Sequence, residues 1–152
     1  MKLSKNFTLE ELIASPTATR LKIDNTPSQD VIRNLQQTVT YILQPARNHF
    51  GPLKVNSGYR SPELNVAIGG AKNSDHTRGQ AVDFEVPGTP NNVLAQWVAD
   101  NCPYDQIILE FFITGQANSG WVHASYTPTP RRKLLIAHKD GKKTVYREVR
   151  SF

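Results

Sequence analysis

The sequence predicts a single α+β domain, with helices packed on a mainly antiparallel sheet. Three observations predict it. A chain of 152 residues with 38% hydrophobic and 20% charged side chains can build one real core and is too short for two ordinary domains. Apolar residues recur at helical spacing in the first third of the chain. From residue 81 onward, short strand-like runs bounded by Gly, Pro and Asp dominate. Helices first and a group of strands after them make an α+β arrangement.

The elements follow in order. Thr8-Leu9-Glu10-Glu11 is a capping box that opens a short helix to about Ser15. Asn25-Thr26-Pro27-Ser28 is a turn that starts the longest helix, with Val31, Leu35, Val39, Ile42, Ala46 and Phe50 at helical spacing. Pro45 is expected to kink or split it near its last turn, and Gly51-Pro52 ends it. Leu53–Asn56 reads as a strand. Ser61-Pro62 starts a short helix with proline at the first helical position, and Gly69-Gly70 stops it. Ala81–Val86 reads as a strand, and Thr89-Pro90 opens an amphipathic helix through Val93, Leu94, Trp97 and Val98. Asp105–Ile113 and Trp121–Tyr126 are two further strands. Leu134–Ala137 and Thr144–Tyr146 flank Asp140-Gly141, a hairpin turn signal.

The formal net charge of +5 suits an anionic polymer, whether nucleic acid, a membrane surface or a cell wall. Its dense basic runs, Arg131-Arg132-Lys133 and Lys142-Lys143, are too short for a nucleic-acid arm and read as solvated surface. No nucleic-acid partner is expected. Cys102 is the sole cysteine, which excludes an internal disulfide and a cysteine-based zinc finger and fits a reducing cytosol. Its place between an apolar helical run and Pro103 reads as a small buried side chain. Met1–Asn6 leads into polar, acidic sequence, with no apolar stretch of signal-peptide length and no run approaching a membrane span. The expectation is a monomer made in the cytoplasm without a signal peptide or membrane insertion. If it acts on a wall, it does so after release by something else.

The informative segment is Ser74-Asp75-His76-Thr77-Arg78-Gly79-Gln80-Ala81-Val82-Asp83. On one straight helix His76 and Asp83 would lie roughly 10 Å apart, too far for bonds of about 2 Å to one ion. A loop feeding a strand can bring them together, with Gly79 permitting the turn. Strand alternation puts Ala81, Asp83 and Glu85 on one face and Val82, Phe84 and Val86 on the other. The apolar face belongs against the helices, so Asp83 looks into a cleft. In Trp121-Val122-His123-Ala124-Ser125 the same period groups Trp121, His123 and Ser125. Two histidines and one carboxylate would make a catalytic-type zinc site with an open position. A histidine and an aspartate at this spacing also occur as structural residues.

The run Ser74-x-His76-x-x-Gly79-x-Ala81-x-Asp83 resembles the motif of the zinc metallopeptidases that include D-alanyl-D-alanine carboxypeptidases and phage L-alanyl-D-glutamate endolysins. Further stretches resemble the D-alanyl-D-alanine carboxypeptidase branch: Phe7–Leu12, Ser57-Gly58-Tyr59-Arg60-Ser61-Pro62, Leu64-Asn65, Gly69-Gly70, Tyr104–Ile108 and Trp121-Val122-His123. The likeness covers residues 7–126 in consistent order. Residues 127–152 carry no motif and read as a C-terminal hairpin and tail of the same domain. The resemblance implies a hedgehog-like fold, one zinc per chain on His76, Asp83 and His123, and a peptidoglycan peptide as substrate. It implies that Arg60 faces the substrate carbonyl or carboxylate, where its charge could stabilise an oxyanion. Ser74 and Tyr59 are candidate substrate-orienting groups, or else turn and packing residues.

One position departs from the pattern. Many family members carry the catalytic acid three residues before the last histidine, and here that residue is Gly120. Asp105 and Glu110 on the preceding strand are candidate replacements, with Glu85 a third; His49 and His138 read as surface residues. If Phe112 faces Trp121 across an antiparallel pair, Glu110 faces His123 and stands beside the metal as general base. A register slip of one residue would turn it away. The expected function is a zinc carboxypeptidase or endopeptidase acting on the peptidoglycan stem or cross-link, as a phage endolysin or virion-associated wall hydrolase. A catalytically silent wall-binding or virion structural module with the same fold is the alternative that Gly120 invites.

Overall fold

The computed structural model describes residues 1–152. A two-stranded ribbon, β1 (Lys2–Ser4) and β2 (Phe7–Thr8), precedes helices α1 (Leu9–Ile13), α2 (Pro16–Leu21) and α3 (Gln29–Thr38). Each helix starts on a hydroxyl: Thr8 Oγ1 accepts from Glu11 N, Ser15 Oγ from Ala18 N and Ser28 Oγ from Val31 N. Helix α2 was not expected, although Ser15-Pro16 is the same start signal as Ser61-Pro62.

The long helix divides as Pro45 requires, but one turn earlier than expected. After α3 comes a π-helical segment, Val39–Leu43, and then α4 (Gln44–Phe50). Gln44 N reaches back five residues to Val39 O. Pro45 offers no N–H to the carbonyl of Tyr41 and its ring would crowd that oxygen, so the wider turn accommodates both.

Strand β3 (Lys54–Ser57) and helix α5 (Pro62–Ala67) follow, then a 3-10 turn over Asp75–Arg78, β4 (Ala81–Glu85), α6 (Asn91–Asn101), β5 (Gln106–Glu110), β6 (Trp121–Ser125), β7 (Lys133–Asp140) and β8 (Lys143–Val149). Strands β3 to β8 form one sheet in the order β3-β4-β6-β5-β7-β8. Every neighbouring pair is antiparallel except β5 and β7. The expected α+β class and mainly antiparallel sheet are what the chain adopts.

Strand alternation gives the sheet two unlike faces. Val82, Phe84, Val122, Ala124, Ile107, Leu109 and Leu134 pack with Leu35, Val39, Ile42, Leu43, Leu94 and Val98 in the core. Asp83, His123, Ile108 and Glu110, one position over, line a cleft on the other face.

The C-terminal segment is part of this sheet, because β7 inserts between β5 and β8. Arg131 and Arg132, expected to be a solvated run, anchor its approach. Arg131 Nη2 lies 2.8 Å from Asp105 Oδ2, and Arg131 N donates to Asp105 Oδ1 at 2.8 Å. Arg132 lies over the Tyr104 ring at 4.4 Å and donates to Ala99 O and Cys102 O at the end of α6. Cys102 is buried, and burial pushes its thiol up to about 11, as suits an inert packing residue.

Candidate active site

The Ser74–Asp83 run folds as its residues suggest. Ser74 Oγ accepts from His76 N at 3.2 Å and caps the 3-10 turn, while Gly79 closes it in the left-handed region at φ 73°. A Cβ on Gly79 would come within 2.8 Å of Val31 O, so the turn packs directly on α3. The chain then enters β4, whose third residue is Asp83. Across the β4–β6 pair, Asp83 stands opposite His123.

His76, Asp83 and His123 thereby converge, with their ligand atoms all within 4.8 Å of one another. His76 is 1% exposed. Its Nδ1 lies 2.7 Å from Gly58 O, and a carbonyl oxygen only accepts, so Nδ1 carries the proton and Nε2 carries the lone pair. That Nε2 has no hydrogen-bond partner although it is fully buried, and it lies 3.3 Å from Asp83 Oδ2. His123 Nδ1 lies 3.0 Å from Asp83 Oδ1. Two ligand atoms about 2.0–2.1 Å from a tetrahedral ion stand about 3.3 Å apart. The orphaned imidazole nitrogen, its carbonyl-fixed tautomer and these separations all fit a small metal cation.

Charges follow the same geometry. Burial lowers the pKa of His76, against the opposing pull of Asp83, and favours the neutral form a metal needs. Burial would raise the Asp83 carboxyl, but the two histidines outweigh it and hold the group well below the usual carboxylate range. Burial also opposes protonation of His123, yet its hydrogen bond to Asp83 prevails and raises it.

The three residues line a cleft of about 710 Å³ that Arg60, Ser74, Glu110 and Trp121 also line. Arg60 N donates to His76 O at 3.1 Å, which ties the arginine's backbone to the ligand turn. Its Nε is buried without a partner, and burial lowers its pKa against the pull of Asp83 and Glu110. Gly70 lets the guanidinium lie there: a Cβ at 70 would sit 2.1 Å from Asn65 Oδ1 and 3.1 Å from Arg60 Nη1. Gly70, read from sequence as a helix stop and as part of the family likeness, is also a packing requirement of the cleft.

Glu110 is in the cleft, but by a different register from the one expected. It pairs with Trp121, and Ile108 takes the position opposite His123. The strand stops at Glu110 because Phe111 turns into the left-handed region at φ 58°. Both the expected and the observed register keep Glu110 on the His123 face, since they differ by an even number of residues. Trp121 Nε1 donates to Glu110 Oε2, and burial first, then Asp83, raises the Glu110 pKa.

The other candidate carboxylates are engaged elsewhere. Asp105 is 3% exposed and bound to Arg131. Glu85 accepts from Asn56 Nδ2 at 3.0 Å and from Asn91 Nδ2 at 3.2 Å. Position 120 has no room for an acid: a Cβ on Gly120 would lie 1.8 Å from Glu110 O. Tyr59 requires a correction. It is buried in the hydrophobic core, not in the cleft wall, so it is a packing residue rather than a substrate-orienting one.

The cleft also contains residues outside the expected site set. Gln106, Ile108 and Phe111 come from β5 and its end, and Leu135 and Tyr146 come from the C-terminal hairpin. Alternation along β5 marks Gln106 and Ile108 as companions of Glu110. No local signal marks Leu135 and Tyr146, because their place depends on which strand β7 joins.

Residues 5–124 match the family model described as peptidase M15. No curated protein matches the chain.

Proposed function

Since the chain belongs to the M15 family of peptidases, we propose that it is a zinc-dependent hydrolase of a peptide bond in the stem or cross-links of peptidoglycan. The observation that carries the reading is the convergence of the His76–Asp83–His123 group, Glu110 and Arg60 in one cleft.

His76 through Nε2, Asp83 through its carboxylate and His123 would hold the ion. A zinc ion there supplies Lewis acidity, which lowers the pKa of water and polarises a carbonyl. The remaining chemistry belongs to the chain. Gly58 O keeps the His76 ring in the ligand tautomer, and Ser74 caps the turn that presents it. Glu110 acts as general base, taking a proton from the attacking water and returning it to the leaving amine. Burial and then Asp83 raise its pKa, which makes the carboxylate a stronger base, and Trp121 holds it in place. Arg60, with a guanidinium Nε free of protein partners, stabilises the oxyanion of the tetrahedral intermediate. Ser74 lies on the wall where a substrate backbone would pass.

The narrower reading as a phage endolysin or virion-associated wall hydrolase is supported by the likeness to endolysins alone. Digestion of purified sacculi by the zinc-loaded chain, with new termini identified by mass spectrometry, tests the function. One defined new terminus, lost with a chelator, is the expected result. Binding to sacculi without any release would replace the hydrolase with a silent wall-binding module.

A further inference from the structure

The family match ends at residue 124, yet the cleft does not. Strand β7 lies beside β5, so Leu135 is the neighbour of Ile108. One row along, Trp121, Glu110, Ala137 and Tyr146 follow one another across β6, β5, β7 and β8. Ala137, between Glu110 and Tyr146 in that row, is fully buried. Leu135, Tyr146, Phe111 and Trp121 all line the cleft. The Phe111 and Trp121 rings pack at 5.3 Å.

The hairpin holds this wall in place. Phe111 N donates to Ala137 O at 2.9 Å, fixing the left-handed residue that ends β5. Tyr146 is 54% exposed, so its ring holds little of the fold together while presenting an apolar face to the cleft. Burial of part of the ring, and then the Glu110 charge, push its hydroxyl above the ordinary value, which sets the tyrosine within electrostatic reach of the carboxylate. Arg60, Asn73 and Ser74 also line the cleft, together with Ile68 and Ala71 from the same stretch of chain.

We infer that the β7–β8 hairpin selects the substrate: Leu135 and Tyr146, with Phe111 and Trp121, form a subsite beside Glu110 for an uncharged apolar side chain adjoining the scissile bond. The inference rests on the peptidase reading. An apolar side chain there would leave water against three aromatic side chains and a leucine. An acidic side chain would face the Glu110 carboxylate and be repelled.

The test is a series of stem-peptide analogues carrying Leu, Gly or Asp at each residue in turn. Binding to the zinc-loaded chain is measured by calorimetry and cleavage by kcat/KM. At one position, leucine should be favoured about tenfold over glycine, with aspartate weakest. Tyr146→Ala should collapse the leucine-to-glycine ratio, while Tyr146→Phe should keep it, because the ring and not the hydroxyl does the selecting. Equal affinity for Leu and Gly at every position overturns the inference, as does an equal loss for all peptides in Tyr146→Ala. Peptides bound in the expected order but never cleaved would remove the hydrolase reading and leave the subsite. Peptides cleaved without that order would do the reverse, and no binding of any peptide would overturn both.

Discussion

Trp121 and Glu110 face each other across the β5–β6 pair, and the indole Nε1 donates a 2.5 Å hydrogen bond to the Glu110 carboxylate. The bond fixes the carboxylate on the row next to the one that carries Asp83 and His123. Position 120, meanwhile, is pressed against the Glu110 carbonyl and cannot carry a side chain without movement. The missing acid and the present one are therefore two aspects of one local packing arrangement.

Glu110→Gln keeps the shape and can still accept the indole proton, but it cannot take a proton from water. Turnover should fall at least about a hundredfold with metal content intact. Steady-state kinetics and metal analysis on the same preparation check this, and near-normal turnover would remove Glu110 from the mechanism.

The raised pKa of Glu110 sets the sign of two pH effects. A base must be ionised, so the acid limb of kcat should lie above 4.5, the ordinary glutamate value, with activity falling as pH drops through the raised pKa. A folded-state pKa above the unfolded one also means that ionisation costs stability at neutral pH. Glu110→Gln should therefore melt no lower than the parent at pH 7, and the difference should shrink as pH falls through that pKa.

His76→Ala and His123→Ala should each lower zinc occupancy sharply, because three protein ligands leave none to spare. Metal titration in equilibrium with a chromophoric chelator measures it. Full occupancy in either variant would take that histidine out of the ligand set.

Arg60→Ala should reduce turnover about a hundredfold while zinc binding is retained, as expected for an oxyanion stabiliser. Kinetics unchanged from the parent would sink the assignment.

Gly120→Ala forces a side chain into the left-handed region at φ 64° and against Glu110 O. The expected cost is about 2 kcal/mol, or roughly 6 °C in Tm for a chain of this size. Gly120→Glu should fail to restore activity to Glu110→Gln, because the new side chain displaces the strand end it would need to join.

The sequence by itself determined what local chemistry decides. Hydroxyl caps and prolines set helix starts, and Gly79 set the turn that carries His76 toward β4. Strand period placed Asp83 and His123 on polar faces, and the motif from Ser74 to Asp83 marked His76 and Asp83, which the folded chain brings together with His123. Only the tertiary structure decided the rest. The turn at Phe111 ends β5 at Glu110, two residues before Phe112, the expected partner of Trp121, a choice made by packing against Gly120 and Ala137 O rather than by propensity. The burial of Tyr59 and the engagement of Asp105 with Arg131 depend on elements distant in sequence. The same holds for Leu135 and Tyr146. Parallel pairing of β5 with β7 joins segments about 27 residues apart through non-local hydrogen bonds, and no periodicity within either strand encodes its neighbour.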